Sequence, residues 1–174
     1  MNILENLSDN YKRWADGKLE GFTDKIDDLL VEINNPLSIS TAEKSQINQI
    51  IKSKNVVFFD VNKPIPDKKK QIKAYASIFG MGDYELDSKS DIDGLTEIKH
   101  NKKTQQDFEY IPYSDKQLNW HTDGYYNSQS NSILSWLLYC VCPSDDGGIN
   151  KYMDHEIAYI LYLSLIHISE PTRR

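Results

Sequence analysis

Asn119-Trp120-His121-Thr122-Asp123-Gly124-Tyr125-Tyr126-Asn127 is the densest run of chemistry-bearing residues in the chain, and a long apolar run, 133–142, follows it. His121 and Asp123 stand one residue apart, so in an extended segment both side chains leave the same face. A ring nitrogen and a carboxylate oxygen can then meet at one metal ion, which is two-thirds of the two-His-one-carboxylate set that leaves open positions on an iron(II) centre. Taken alone, His-x-Asp has a plainer reading as a surface hydrogen bond. The run 133–141 reads as a buried strand, and Gly147-Gly148 behind it reads as a tight turn.

The surrounding chain has the composition of one globular domain. It has 174 residues, 39% hydrophobic and 26% charged, with 8 Gly, 6 Pro and 2 Cys, which excludes collagen, coiled coil and disulfide scaffolds. A core of this size needs no metal merely to fold, so a metal would serve chemistry. The apolar run 133–142 is about half of the roughly 20 residues that a membrane-spanning helix requires, and residues 1–12 lack the order of a signal peptide. A cytoplasmic protein with no membrane partner is expected. The net charge of −6 speaks against nucleic acid, and Lys68-Lys69-Lys70 reads as a solvated helix face. Cys140 and Cys142 fall on one face of the expected strand, as reduced core residues.

Along the chain, the spacing of Ile3, Leu4, Leu7, Tyr11 and Trp14 predicts a helix over 3–16, and 29–33 reads as a short strand closed by Asn34-Asn35-Pro36. Ser40-Thr41-Ala42-Glu43 is a capping box that starts a helix with Ile47, Ile50 and Ile51 on one stripe. A buried strand is expected over Val56-Val57-Phe58-Phe59. A further helix is expected from an Asp67 cap to Phe79, stopped by Gly80. Short strands are expected over 95–99, 108–111 and 133–141, and a last helix from an Asp154 cap through at least Tyr162. Helices followed by strands suggest an α+β or mainly β domain.

The C-terminus changes character. Arg13 is the one arginine before Leu163, whereas the last twelve residues hold Arg173 and Arg174 and no lysine. Leu163-Ser164-Leu165-Ile166-His167-Ile168-Ser169-Glu170-Pro171-Thr172-Arg173 resembles the conceptual translation of a transposase-type sequencing adapter. On that resemblance, 1–162 is the N-terminal portion of a single domain and 163–174 is a non-native tail, so His167 is no ligand candidate. Leaving out the tail, with its two arginines and one glutamate, takes the charge from −6 to −7.

Trp120-His121-Thr122-Asp123, the apolar run and Gly147-Gly148-Ile149-Asn150, in that order and spacing, resemble the taurine catabolism dioxygenase (TauD/TfdA) family of iron(II)- and 2-oxoglutarate-dependent oxygenases. Pro36-Leu37, the capped helix and Val56-Val57-Phe58-Phe59 resemble the family's approach to its double-stranded β-helix, a jelly-roll. The likeness covers most of 31–162, with its specific motifs within 119–150. It implies an incomplete jelly-roll with flanking helices, Fe(II), 2-oxoglutarate as cosubstrate, and dioxygen with a small-molecule substrate as reactants. The products would be a hydroxylated substrate, succinate and CO2. His121 and Asp123 match the first two iron ligands. Asn150 stands where members often have Thr, at a position that helps hold 2-oxoglutarate. Asn119, Tyr125 and Tyr126 flank the motif as substrate-facing candidates, the tyrosines having packing with a polar tip as an equal reading. Trp120 is expected to pack in the sandwich.

The family's distal iron-binding His and its carboxylate-clamping Arg lie downstream of the last helix. His100 and His155 do not match the distal position, nor can Arg173 or Arg174 be the clamp. The chain as given is therefore expected to be inactive. Two other classes fit the same residues: a non-catalytic jelly-roll binding module, and a hydrolytic zinc site on His121 and Asp123.

Overall fold

A computed structural model describes residues 3–63, 65–81, 94–99, 111 and 116–169. Contacts divide the chain into two compact units, Met1–Pro66 with Cys142–Arg174, and Asp67–Val141.

The first unit is built on a strand-helix-strand motif. Helix α1, Ile3–Glu20, leads through a 3-10 turn over Ile26–Leu29 into strand β1, Leu30–Ile33. Helix α2, Thr41–Lys54, then crosses to strand β2, Phe58–Val61, which pairs parallel to β1 with Leu30 opposite Phe58 and Ile33 opposite Val61. Parallel neighbours cannot be joined by a tight turn, so the intervening helix is what the pairing requires. Val31 and Ile33 point alternately from Glu32 into the core, both at 1% exposure or less, and Ile47 of α2 is fully buried against this side of the molecule. Ala15, Ile39 and Ile160 are buried in this unit as well.

The start of α2 is the capping box read from the sequence. Ser40 accepts from the Glu43 amide at 3.2 Å, and Glu43 accepts from the Ser40 amide at 2.7 Å. The same carboxylate accepts from the Asn34 backbone at 2.9 Å and side chain at 3.2 Å, so it ties the end of β1 to the start of α2. These bonds, that of the Asn34 backbone foremost, hold the Glu43 carboxyl down at about 2. At its other end α2 stops on Asn55, whose φ of 61° is left-handed and whose amide bonds the Ile51 carbonyl at 2.9 Å.

Helix α4, His155–Ser169, packs on α1. Its first turn carries a charged knot that the sequence reading did not foresee. Lys18 donates to Asp154 at 3.0 Å, to Glu156, and to the Ser53 carbonyl at 2.9 Å, with its side chain 10% exposed. Asn55 donates to Asp154 at 2.9 Å and Glu156 at 2.8 Å. Asp154 also caps the helix by accepting from the Glu156 amide at 2.9 Å. Burial pushes the Asp154 carboxyl up, but the bonds from Asn55 and Lys18 outweigh it and hold it below its ordinary value. The Lys18 bond chiefly holds Glu156 low as well. Burial pushes Lys18 down, and its bonds to Glu156 and Asp154 win, leaving it raised.

The second unit contains helix α3, Lys68–Ile78, capped by Asp67 accepting from the Lys70 amide at 3.0 Å and followed by Gly80 at φ 73°. Tyr75 and Gln71 are its buried residues, and Gln71 donates to the Tyr139 hydroxyl at 3.3 Å.

Several expectations change. The first helix runs to Glu20, and β2 starts two residues later than the apolar doublet Val56-Val57, because the chain must leave the left-handed Asn55 before it reaches pairing distance of Leu30. Residues 95–99 and 133–141 are irregular; β1 and β2 form the one sheet among the described residues, and a strand exists only where a ladder partner stands beside it. The run 133–141 accordingly exposes Leu134 at 95% and Val141 at 64%. Cys140 and Cys142 are free thiols as read, but exposed rather than core, since the strand that would have buried them is not formed. The strand expected over 108–111 lies outside the described residues except for Ile111, as does His100. α4 continues unbroken from His155 into the adapter-like segment as far as Ser169. No helix among the described residues is long and apolar enough to cross a membrane.

Candidate functional site

The run 119–133 forms a chain of tight turns. The Tyr125 amide bonds the Thr122 carbonyl at 3.4 Å and the Asn127 amide bonds the Gly124 carbonyl at 2.8 Å. Gly124 takes φ +67°, a left-handed conformation that favours glycine. A methyl group there would sit 2.8 Å from Cδ1 and Cγ1 of Ile133 and 3.0 Å from Nδ2 of Asn127, so space as well as backbone requires Gly. The Asn127 side chain donates to the Asn131 carbonyl at 3.0 Å, and the Asn131 amide closes back on the Ser128 carbonyl at 2.9 Å.

His121 and Asp123 enter this turn from its N-terminal side. Nε2 of His121 lies 3.6 Å from Oδ1 of Asp123, with side chains 42% and 49% exposed. Nδ1 of His121 lies 2.7 Å from the Asn119 carbonyl oxygen. A carbonyl only accepts, so this contact assigns the proton to Nδ1. In the neutral ring Nε2 is then a bare lone pair 3.6 Å from a carboxylate oxygen. Two acceptors face one another, an arrangement satisfied by a cation: a proton on Nε2 or a metal ion between them. Two ligand atoms at about 2.1 Å from a metal and at right angles stand about 3.0 Å apart, so the observed spacing needs the two exposed side chains to close by roughly half an ångström. The donor set, one imidazole and one carboxylate, suits a borderline divalent ion such as iron(II). Among the described residues no group of three or more His, Cys, Asp and Glu side chains is gathered for a metal.

The other sequence-derived positions fall as follows. Asn119 serves the pair through its backbone carbonyl, a role the sequence reading did not assign. Tyr125 and Tyr126 are 75% and 69% exposed, their rings edge-to-face with centroids 5.3 Å apart, so neither packs into a core. Trp120, expected to pack, is 63% exposed, because it stands on a turn rather than on a sheet face. Asn150 is an exposed residue in the first unit, after Gly147 and Gly148, which take left-handed φ of 72° and 68° in irregular backbone rather than in the tight turn expected of them.

The family model that matches is "Taurine catabolism dioxygenase TauD, TfdA family", over residues 19–160, most of the chain. The chain belongs to the TauD/TfdA family. Members of this family are iron(II)- and 2-oxoglutarate-dependent dioxygenases, and the match takes in both α2 with its capping box and the His121–Asp123 turn. It stops short of residues 163–174. No curated protein and no solved structure matches the chain. TauD/TfdA membership thus carries the reaction class, and the facing acceptors of His121 and Asp123 fit the metal that this class uses.

Proposed function

We propose that the protein is an iron(II)- and 2-oxoglutarate-dependent dioxygenase of a small diffusible substrate, with His121 and Asp123 as two of its iron ligands. The observation that carries this reading is the bare Nε2 of His121 facing Oδ1 of Asp123 at 3.6 Å, with Nδ1 engaged by the Asn119 carbonyl, inside the matched family segment.

When bound, iron(II) and 2-oxoglutarate would supply the activation of dioxygen, converting a substrate C–H bond to C–OH while 2-oxoglutarate becomes succinate and CO2. The work of this chain is to prepare the place. Asp123 brings a negative charge to a divalent cation, and the Asn119 carbonyl keeps the His121 ring in the tautomer that presents Nε2. Asn150 is assigned to hydrogen bonding with 2-oxoglutarate. The Asn119 side chain and the exposed Tyr125 and Tyr126 phenols are assigned to the substrate; their exposure leaves them available for it. The jelly-roll belongs to the same proposal, 133–141 being one of its strands. So does a cytoplasmic location, without a nucleic-acid or membrane partner.

We also propose that residues 163–174 derive from an adapter and that the distal His and the clamping Arg are encoded downstream, so the chain as given would turn over little or nothing. Sequencing the source DNA across the Tyr162 codon tests this part. A native frame through Arg174 would overturn it.

The ligand assignment is tested without turnover. Anaerobic titration with Mn(II), an electron-spin-resonance stand-in for Fe(II), should show binding that 2-oxoglutarate tightens. His121→Ala and Asp123→Ala should each weaken it by roughly tenfold or more, and Asn150→Ala should remove the tightening by 2-oxoglutarate. Equal Mn(II) binding by the wild type and both ligand variants would sink the iron reading and favour the non-catalytic binding module.

A further inference from the structure

Tyr125 and Tyr126 are 75% and 69% exposed, so the fold gains little from burying their rings. Two overlapping turns fix where they stand. The Tyr125 amide closes on the Thr122 carbonyl at 3.4 Å and the Asn127 amide on the Gly124 carbonyl at 2.8 Å, so Asp123 sits inside the first turn and the two tyrosines form the middle of the second. Their ring centroids are 5.3 Å apart and the planes meet at 75°. One ring is then the floor and the other the wall of a corner, with a π face on each inner side. Such faces carry negative partial charge. The run from Gln117 to Val141 adds no lysine or arginine, and its one carboxylate is Asp123. An anionic group would meet only electron-rich faces in this corner, and a neutral one would gain burial alone. A cation would gain burial and the field of two quadrupoles together.

We propose that the Tyr125–Tyr126 corner is a cation subsite beside the His121–Asp123 pair, taking an ammonium or quaternary ammonium group of the substrate. As a substrate assignment this rests on the iron reading above; the preference of the corner for positive charge does not. The π faces are the binding groups, so the phenol hydroxyls are dispensable for it. That separates this role from one in which each tyrosine serves as a hydrogen-bond donor.

Three probes of similar size separate charge from bulk: tetramethylammonium, neutral tert-butanol and anionic methanesulfonate. In metal-free protein, titrations followed by the ring-proton NMR signals of Tyr125 and Tyr126 should rank tetramethylammonium about fivefold or more above tert-butanol, with methanesulfonate weakest. Tyr125→Leu and Tyr126→Leu keep apolar bulk and remove a π face, and each should weaken tetramethylammonium about two- to fivefold, read from the remaining tyrosine. Tyr125→Phe and Tyr126→Phe keep the face and should bind within about twofold of the wild type. Both rings stand in solvent, so none of these variants opens a packed core. Loading Mn(II) should broaden the methyl protons of tetramethylammonium in the wild type and not in His121→Ala. Tert-butanol or methanesulfonate binding as tightly as tetramethylammonium would overturn the cation subsite, as would wild-type affinity in both leucine variants. Mn(II) held through His121 without broadening would overturn its place beside the iron. If the wild type binds no Mn(II) through His121, the iron reading fails, while the ranking of the three probes still decides the charge preference of the corner.

Discussion

Gly124→Ala is the most informative single perturbation of the site. Two separate penalties can be worked out for it. The left-handed φ of +67° costs an L-residue about 1–2 kcal/mol. The new methyl would stand 2.8 Å from two carbons of Ile133, inside van der Waals contact; Ile133 is 47% exposed and can yield by leaving its rotamer, at about 0.5–1.5 kcal/mol. The closed turn is then disfavoured by about 1.5–3.5 kcal/mol, and a ligand pair that must close before it binds loses affinity by roughly 10- to 400-fold. Mn(II) titration measures this directly. The two penalties separate in Gly124→Ala/Ile133→Ala: removing the isoleucine stem relieves the clash and should recover about a threefold to tenfold share, leaving the backbone share in place. Ile133→Ala alone should change affinity little. Binding of Gly124→Ala within twofold of the wild type would refute the reasoning, because the turn would then not govern the ligands. Absence of any recovery in the double variant would refute the steric half.

Four further outcomes follow from the first unit. Lys18→Met should destabilise it by about 2 kcal/mol in denaturant titration, less than a fully buried broken pair, because Asn55 still donates to both carboxylates. The same knot sets a pH window: Asp154 and Glu156 are held low, so their contribution is present above ordinary carboxylate values near 4 and is lost as pH falls through the lowered ones. Lys18 is raised, so its contribution is present below about 10.4 and is lost as pH climbs through the raised value; Lys18→Met should flatten both edges of a Tm-against-pH curve. Ser40→Ala removes the acceptor for the Glu43 amide and should cost about 1 kcal/mol, whereas Ile47→Ala empties a fully buried site and should cost about 2–5 kcal/mol, both read from urea midpoints at constant m.

Features governed by neighbours in sequence were legible in advance. Ser40 and Glu43 are three residues apart and satisfy one another, so the capping box appears from four letters, and Asp67 with Gly80 brackets α3 in the same way. The apolar run 133–141 reports a need for burial, but strand formation depends on a ladder partner elsewhere, which spacing cannot supply. The knot of Lys18, Asn55, Asp154 and Glu156 was invisible for a related reason: its members are brought together across about a hundred positions or more, and alone Asp154 reads as a helix cap and the others as surface polar residues. At the site, the one-residue spacing of His121 and Asp123 singled out the pair, and the two side chains stand 3.6 Å apart. The tautomer depends on a backbone oxygen, that of Asn119, which no side-chain pattern encodes.

The division of the first unit into Met1–Pro66 and Cys142–Arg174 has a consequence for biogenesis. The β1–α2–β2 motif and its buried Val31, Ile33 and Ile47 need only the first segment. The partners of Lys18 and Asn55 on α4 are made only after the whole second unit has been translated. At roughly 5–20 residues per second, the 99 to 136 positions between these partners take about 5–27 s, during which Lys18 has the Ser53 carbonyl but neither carboxylate. In that interval α1 lacks the ion pairs that tie it to α4.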